Sequence, residues 1–252
     1  MRVFALSDIH IDYGVNAKWI ANLSIADYKD DVLILAGDVT DRPCRFSWCL
    51  KTLAKRFKQV LFVPGNHDLW VIREDEEKDS LEKFDDICAV VASSGASMDA
   101  FHEPGVSIIP LLTWYDYSFG EPSPELRSKW MDYRACRWPD GLDERDVAAH
   151  FASFNSYDVD ASDTVITYSH FVPRVDLMPD FVPNTPQLLY PILGSTTLEC
   201  QLRQMNSRMH VYGHSHVNGY MEIDGVSYIN NAFGYPSETR TTSKRLMCIH
   251  ES

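Results

Sequence analysis

The sequence predicts an α/β fold, a β-sheet covered by helices, and three observations carry that prediction. The first seventy residues hold three short, unbroken apolar runs, Val3–Leu6, Val32–Ala36 and Val60–Val63. Amphipathic stretches separate them. Each run ends in a polar cluster containing Asp or His. Strands buried on both faces read as continuous apolar runs rather than as alternation, which is the pattern of a sheet with helices on its faces.

The elements follow in order. A weakly amphipathic stretch around Trp19, Ile20 and Leu23 predicts a first helix. Phe46, Cys49, Leu50, Leu53, Ala54 and Phe57 recur at helical spacing with Lys and Arg opposite, which predicts a second. Glu74 to Val91 reads as a charged helix whose inner face is Leu81, Phe84, Ile87, Cys88 and Val91, stopped by Ser93-Ser94-Gly95. Its approach, Arg73 to Asp79, reads as a solvated first turn, where the helix dipole favours acids. Further strands are expected at Val106–Leu112, Thr164–Tyr168, Met209–Tyr212 and Leu246–Ile249. Tyr220–Ile223 and Val226–Ile229, joined through Asp224-Gly225, predict a hairpin with a type I′ turn. Helical spacing returns at Leu198, Leu202 and Met205.

The chain has 252 residues, 45% hydrophobic and 23% charged, an ordinary globular composition. Its 23 basic residues against 36 acidic ones give −13, which counts against long nucleic acid as a partner. The six cysteines are scattered without a C-x-x-C pair, so reduced thiols are expected. The start has too short an apolar run for a signal peptide, and nothing approaches the ~18 apolar residues of a membrane span. A soluble, cytoplasmic protein with no membrane partner is expected.

Five polar clusters crown strand ends: Asp8-Ile9-His10, Gly37-Asp38-Val39-Thr40-Asp41, Gly65-Asn66-His67-Asp68, Ser169-His170 and Gly213-His214-Ser215-His216. Ligands bind at the carboxyl ends of strands in open α/β sheets. Each cluster alone has a bland explanation as a turn, a cap or a core histidine. Five in this order call for a shared site. Carboxylate, imidazole and amide donors without thiolate suit Mn²⁺, Fe, Zn²⁺ or Ni²⁺ and argue against structural zinc.

The ordered set resembles the calcineurin-like metallophosphoesterase superfamily. Its motifs D-x-H, G-D-x-x-D, G-N-H-D/E, a lone His and G-H-x-H are all matched, from residue 8 to residue 216. The resemblance implies an α/β fold of two mixed β-sheets packed face to face with flanking helices. It covers nearly the whole chain, so one domain over 1–252 is expected, and the aromatic- and proline-rich segment 113–162 that interrupts the core pattern reads as a cap-like insertion. By motif, Asp8, His10, Asp38 and His216 would hold one divalent ion and Asn66, His170 and His214 a second, with Asp38 bridging. Such a pair would share an activated hydroxide as nucleophile and clamp a phosphoryl group. His67 would protonate the leaving oxygen as general acid, Asp68 would orient its ring, and Asp41 would support the ligands by hydrogen bonding.

Serine/threonine protein phosphatases continue the second motif as Asp-Arg-Gly and use G-N-H-E, whereas this chain has Asp41-Arg42-Pro43 and G-N-H-D. It is therefore similar to the small phosphoesterase branch. The expected activity is hydrolysis of a small phosphate monoester or diester. The alternatives are a non-catalytic protein-interaction module on the same fold and a nuclease. The insertion is rich in aromatics and arginine, including Arg134 and Arg137, and its Trp114 and Tyr115 follow directly on a strand. Those two, with Arg174 four residues after His170, are the substrate-binding candidates.

Overall fold

The computed structural model describes residues 1–155, 163–179 and 185–252. The three leading apolar runs become parallel neighbours, β1 (Arg2–Leu6), β2 (Val32–Ala36) and β3 (Gln59–Val63), with Val3 beside Val32 and Val32 beside Gln59. Residues 32–36 are all buried, which explains the absence of alternation. A two-residue β4 (Ala96–Ser97) extends one edge of this sheet.

The second sheet contains β5 (Phe101–Glu103), β6 (Val106–Pro110), β7 (Thr164–Tyr168), β8 (Met209–Tyr212), β9 (Gly219–Ile223) and β10 (Val226–Asn230). Its order is β5-β6-β7-β8-β10-β9: the four inner strands run parallel and each edge strand is antiparallel. At the β9–β10 turn both Asp224 and Gly225 have positive φ, as a type I′ turn requires. The final β11 (Met247–Glu251) returns to the first sheet and pairs antiparallel with β1, giving the order β11-β1-β2-β3-β4. One core joins both sheets, with Ala5, Ile34 and Leu61 from the first and Ile108, Ile166 and Val211 from the second.

Helices α1 (Gly14–Asn22), α2 (Pro43–Ala54) and α3 (Ser80–Ser94) follow β1, β2 and β3 in turn. α3 begins six residues later than the charge pattern suggested. Asp79 accepts from the Leu81 and Glu82 amides while Glu82 returns to the Asp79 amide, a capping box that fixes the start. The acidic approach is therefore not a helical turn, and its Glu74 pairs with Lys83 inside α3.

The segment after β6 carries α4 (Pro124–Lys129), α5 (Asp132–Ala135) and α6 (Glu144–Ala152). Its Trp114, Tyr115, Val147 and Phe151 belong to the central core. Residues 156–162 of the expected insertion lie outside the described residues. α7 (Thr196–Gln204) packs Leu198 and Leu202 into a second cluster with Tyr212 and Tyr228.

Candidate metal centre

The five motif clusters meet where the two sheets face each other. Backbone hydrogen bonds tie their loops together: Asp8 N–H to the Gly37 carbonyl, His10 N–H to Asp38, and Gly213 N–H to His170. The His214 amide lies 3.1 Å from Asp8 Oδ1, joining the first motif to the last. Asp8, His10, Asp38, His214 and His216 all have φ between 36° and 65°. A non-glycine residue held there costs ~1–3 kcal/mol, which the surrounding structure must supply. Five of the eight non-glycine residues with positive φ among the described residues lie at this one place.

Two groups of donor atoms result. Asp8, His10, Asp38 and His216 bring one ligand atom each within 4.8 Å of one another. His216 Nε2 lies 3.1 Å from both Asp8 Oδ1 and His10 Nε2. In the second group Asn66 Oδ1 is 3.1 Å from His170 Nε2 and 3.0 Å from His214 Nδ1. Asp38 stands between them, with Oδ1 3.6 Å from His170 Nε2 and Oδ2 3.8 Å from His10 Nε2.

The hydrogen bonds behind each ring decide what it presents. His170 Nδ1 faces the Ala36 carbonyl at 2.9 Å and His214 Nε2 the Ile192 carbonyl at 3.0 Å. Carbonyls only accept, so those nitrogens carry the hydrogens and the opposite ones offer lone pairs. Asn66 donates its amide nitrogen to Asp132 Oδ1 at 2.8 Å, which turns its oxygen inward. Three lone-pair atoms then face one another at 3.0–3.2 Å. Such a cluster is repulsive unless a cation lies among them, and this is the test that the donor set passes.

The same demand appears at the first group. Burial opposes charge on His216, yet Asp8 and Glu238 outweigh it and lift its pKa to about 10. Burial and then the Asp8 and Asp68 charges push the Asp38 carboxyl well above its usual range. Positive charge is what both need.

His67 lies on the open side, with about a fifth of its side chain exposed and Nε2 3.8 Å from Asp38 Oδ2. Trp70 stacks on its ring at 3.7 Å and 28°. Asp68 does not orient that ring. Its carboxylate accepts from the backbone amides of Asp38, Val39, Thr40 and Gly65 at 2.8–3.0 Å, so it is fully used in clamping the second motif to the third. Four amide donors in a row leave the imidazole no place. Asp41 accepts from Arg73 Nε at 2.8 Å and touches no ligand.

The other sequence candidates lie elsewhere. Trp114 and Tyr115 are fully buried, packed against each other, Phe171 and Trp138, and present no face to a ligand. A residue after a strand end can turn into the core as readily as out of it. Arg174 is held by Asp176 and Glu199. Arg137 is spent on the Glu76 and Lys78 carbonyls.

Sequence reasoning missed two carboxylates. Glu238 accepts from His216 Nδ1 at 2.6 Å, orienting that ring. Asp132, from the inserted segment, holds Asn66 and also accepts from Trp70 Nε1 and Trp130 Nε1 at 2.7 Å. Both sit far along the chain from what they orient and match no motif.

Comparison with known proteins agrees with this architecture. The family profile described as calcineurin-like phosphoesterase matches residues 1–218. The chain belongs to the calcineurin-like phosphoesterases. This phosphoesterase is 28% identical over 260 residues to the acyl-carrier-protein phosphodiesterase PptH of Mycobacterium tuberculosis, across 94% of its own length and 79% of the relative's. It also superposes on the crystal structure of phosphopantetheinyl hydrolase (PptH) from Mycobacterium tuberculosis with a TM-score of 0.78 and 25% identity, covering 98% of this chain and 95% of that one. The small-phosphoesterase reading, rather than the protein-phosphatase one, holds, and the chain is a metal-dependent phosphoesterase.

Proposed function

We propose that this phosphoesterase hydrolyses a phosphodiester borne on a protein, a phosphopantetheinyl group on a carrier protein, at a dinuclear metal centre. The carrying observation is the convergence of seven donors on two foci that share Asp38, beside an accessible His67. The relative's name supplies the substrate, and it widens the expected small ester to one attached to a protein. Asp8, His10, Asp38 and His216 would hold one ion; Asn66, His170, His214 and Asp38 the other. Two divalent cations, manganese among the candidates, would supply Lewis acidity and activate the attacking water.

The chain's own residues do the rest. The phosphoryl group sits against His10 and His67 at the open side. As the water oxygen adds to phosphorus, the bond to the leaving oxygen breaks, and His67 supplies the proton that the departing alkoxide requires. Trp70, stacked on the His67 ring, restrains its orientation. The inserted segment supports the site from behind through Asp132 rather than capping it with Trp114 and Tyr115. Among the described residues no helix is long and apolar enough to cross a membrane, and the six free cysteines fit the reducing cytoplasm.

The test is a panel. The purified protein is loaded in turn with Mn²⁺, Zn²⁺, Ni²⁺ and Mg²⁺ and given 4-nitrophenyl phosphate, bis(4-nitrophenyl) phosphate and phosphopantetheinylated acyl carrier protein. Release of the carrier's free hydroxyl form, with the diester preferred to the monoester, is expected. Turnover of the monoester alone would overturn the reading.

A further inference from the structure

A cavity of about 300 Å³ opens beside the candidate metal centre, with His10 and His67 in its lining. Arg42, Arg45 and Arg73 line it as well, with Asp12 and Asp41, in a chain whose net charge is −13. Arg42 engages Asp12 through Nε at 3.2 Å, and Arg73 engages Asp41 through Nε at 2.8 Å. Among the described residues, the terminal nitrogens of these two guanidiniums meet no other partner. Each planar fork is thus anchored from behind with two donor groups to spare, an arrangement ready for a carboxylate or phosphate. Arg45 is fixed by the Ile11 and Asp12 carbonyls at 3.2 Å and shares the Asp12 carboxylate with Arg42, at 3.7 Å.

The three side chains are 47%, 47% and 58% exposed, so they form a rim rather than an enclosed pocket for a small anion. Exposed Tyr13, Trp48 and Ile72 accompany them: Tyr13 lines the cavity, Trp48 is one turn beyond Arg45 on α2, and Ile72 precedes Arg73. Arginine with exposed aromatic and apolar neighbours is the composition of a protein-binding surface.

We infer that this rim docks the carrier protein through an acidic surface flanking its attachment residue. The inference rests on the proposed substrate: with the diester phosphate against His10 and His67, one arm of the diester runs over this cavity, and a half-exposed rim suits the protein arm rather than the pantetheinyl one. An acidic partner would otherwise be repelled by a protein of −13, whereas the three arginines outnumber Asp12 and Asp41 in this lining and leave the rim net positive where contact is made.

The experiment compares phosphopantetheinylated acyl carrier protein with bis(4-nitrophenyl) phosphate, using wild type and the double variant Arg42→Glu/Arg45→Glu. For the carrier substrate, KM should rise about tenfold or more in the variant, as expected when charge steering is reversed. Wild-type kcat/KM on it should also fall with added salt. The nitrophenyl diester should show neither effect to that extent. A carrier protein whose flanking acids are changed to lysine should recover much of the loss with the variant. Equal rises in KM for both substrates would overturn the inference and make the rim a subsite for the phosphate itself. Salt-independent carrier turnover with an unchanged KM would also overturn it. If wild type cleaves the nitrophenyl diester but not the carrier substrate, the proposed function falls, and this inference with it.

Discussion

His67 combines two properties that the candidate ligand histidines around it do not share: an open edge and an aromatic ring stacked on its face. Burial, then the neighbouring His10, His170 and His216, holds it well below the usual histidine range. An anionic diester arriving beside it acts the other way and favours its protonated form. A proton is needed most where the leaving oxygen is an alkoxide and least where it is a nitrophenolate. His67→Ala should therefore keep its metal content and lose ~10²–10⁴ in kcat on the carrier-borne ester, with a smaller loss on bis(4-nitrophenyl) phosphate. Elemental analysis and kcat on both substrates check this. Lost metal would make His67 a ligand, and equal losses would make it a positioning group.

At the scale of elements, the motif glycines are where the loops pass closest. A Cβ on Gly65 would lie 2.2 Å from Asp38 Oδ1 and 2.7 Å from the Asp38 backbone nitrogen. One on Gly37, where φ is +82°, would lie 2.5 Å from His170 Nδ1. Only a bare backbone lets the β2 and β3 loops share Asp38 and leave room for the ring from β7. Gly65→Ala should cost ~1–3 kcal/mol of stability, as overpacking does, and lower the metal content by displacing Asp38. Thermal melts in chelator and metal counting of the dialysed protein measure the two effects separately. A variant with full metal content would show that the loop yields elsewhere. The strand ends and their glycines were legible in the sequence because apolar runs and turn residues are local signals. The charge pattern puts the start of α3 too early because the acidic stretch imitates a first turn, while the capping box at Asp79 and Glu82 places that turn later.

At the scale of the molecule, the two-sheet core buries polar groups whose protonation couples the fold to pH. His210, in β8, is fully buried, with Nδ1 2.8 Å from Thr167 Oγ1 and Nε2 3.1 Å from Ser169 Oγ. Burial lowers its pKa to about 3. The unfolded chain protonates near 6.5, so between pH 6.5 and 3 the unfolded state binds the extra proton. Stability from this group is complete above pH 6.5 and falls with acid, by up to ~1.4 kcal/mol per pH unit. Urea unfolding of the metal-loaded protein at pH 7, 6 and 5 should show that slope, and His210→Gln should flatten it by about one proton's worth. Identical slopes would mean that the fold opens locally to protonate the ring.

The sequence by itself determined the strand-helix order, the five motif clusters at strand ends and the phosphoesterase family they resemble. These are properties of short stretches, set by apolar periodicity, turn chemistry and the donor types themselves. Only the tertiary structure decided what stands behind the candidate ligands. Asp132 turns Asn66 across 66 residues and Glu238 orients His216 across 22. It also sent Trp114 and Tyr115 into the core, spent Asp68 on four amides and set three arginines around one cavity. Side-chain direction and long-range pairing carry no local signature, because they are fixed by where two sheets and their loops come to rest against each other.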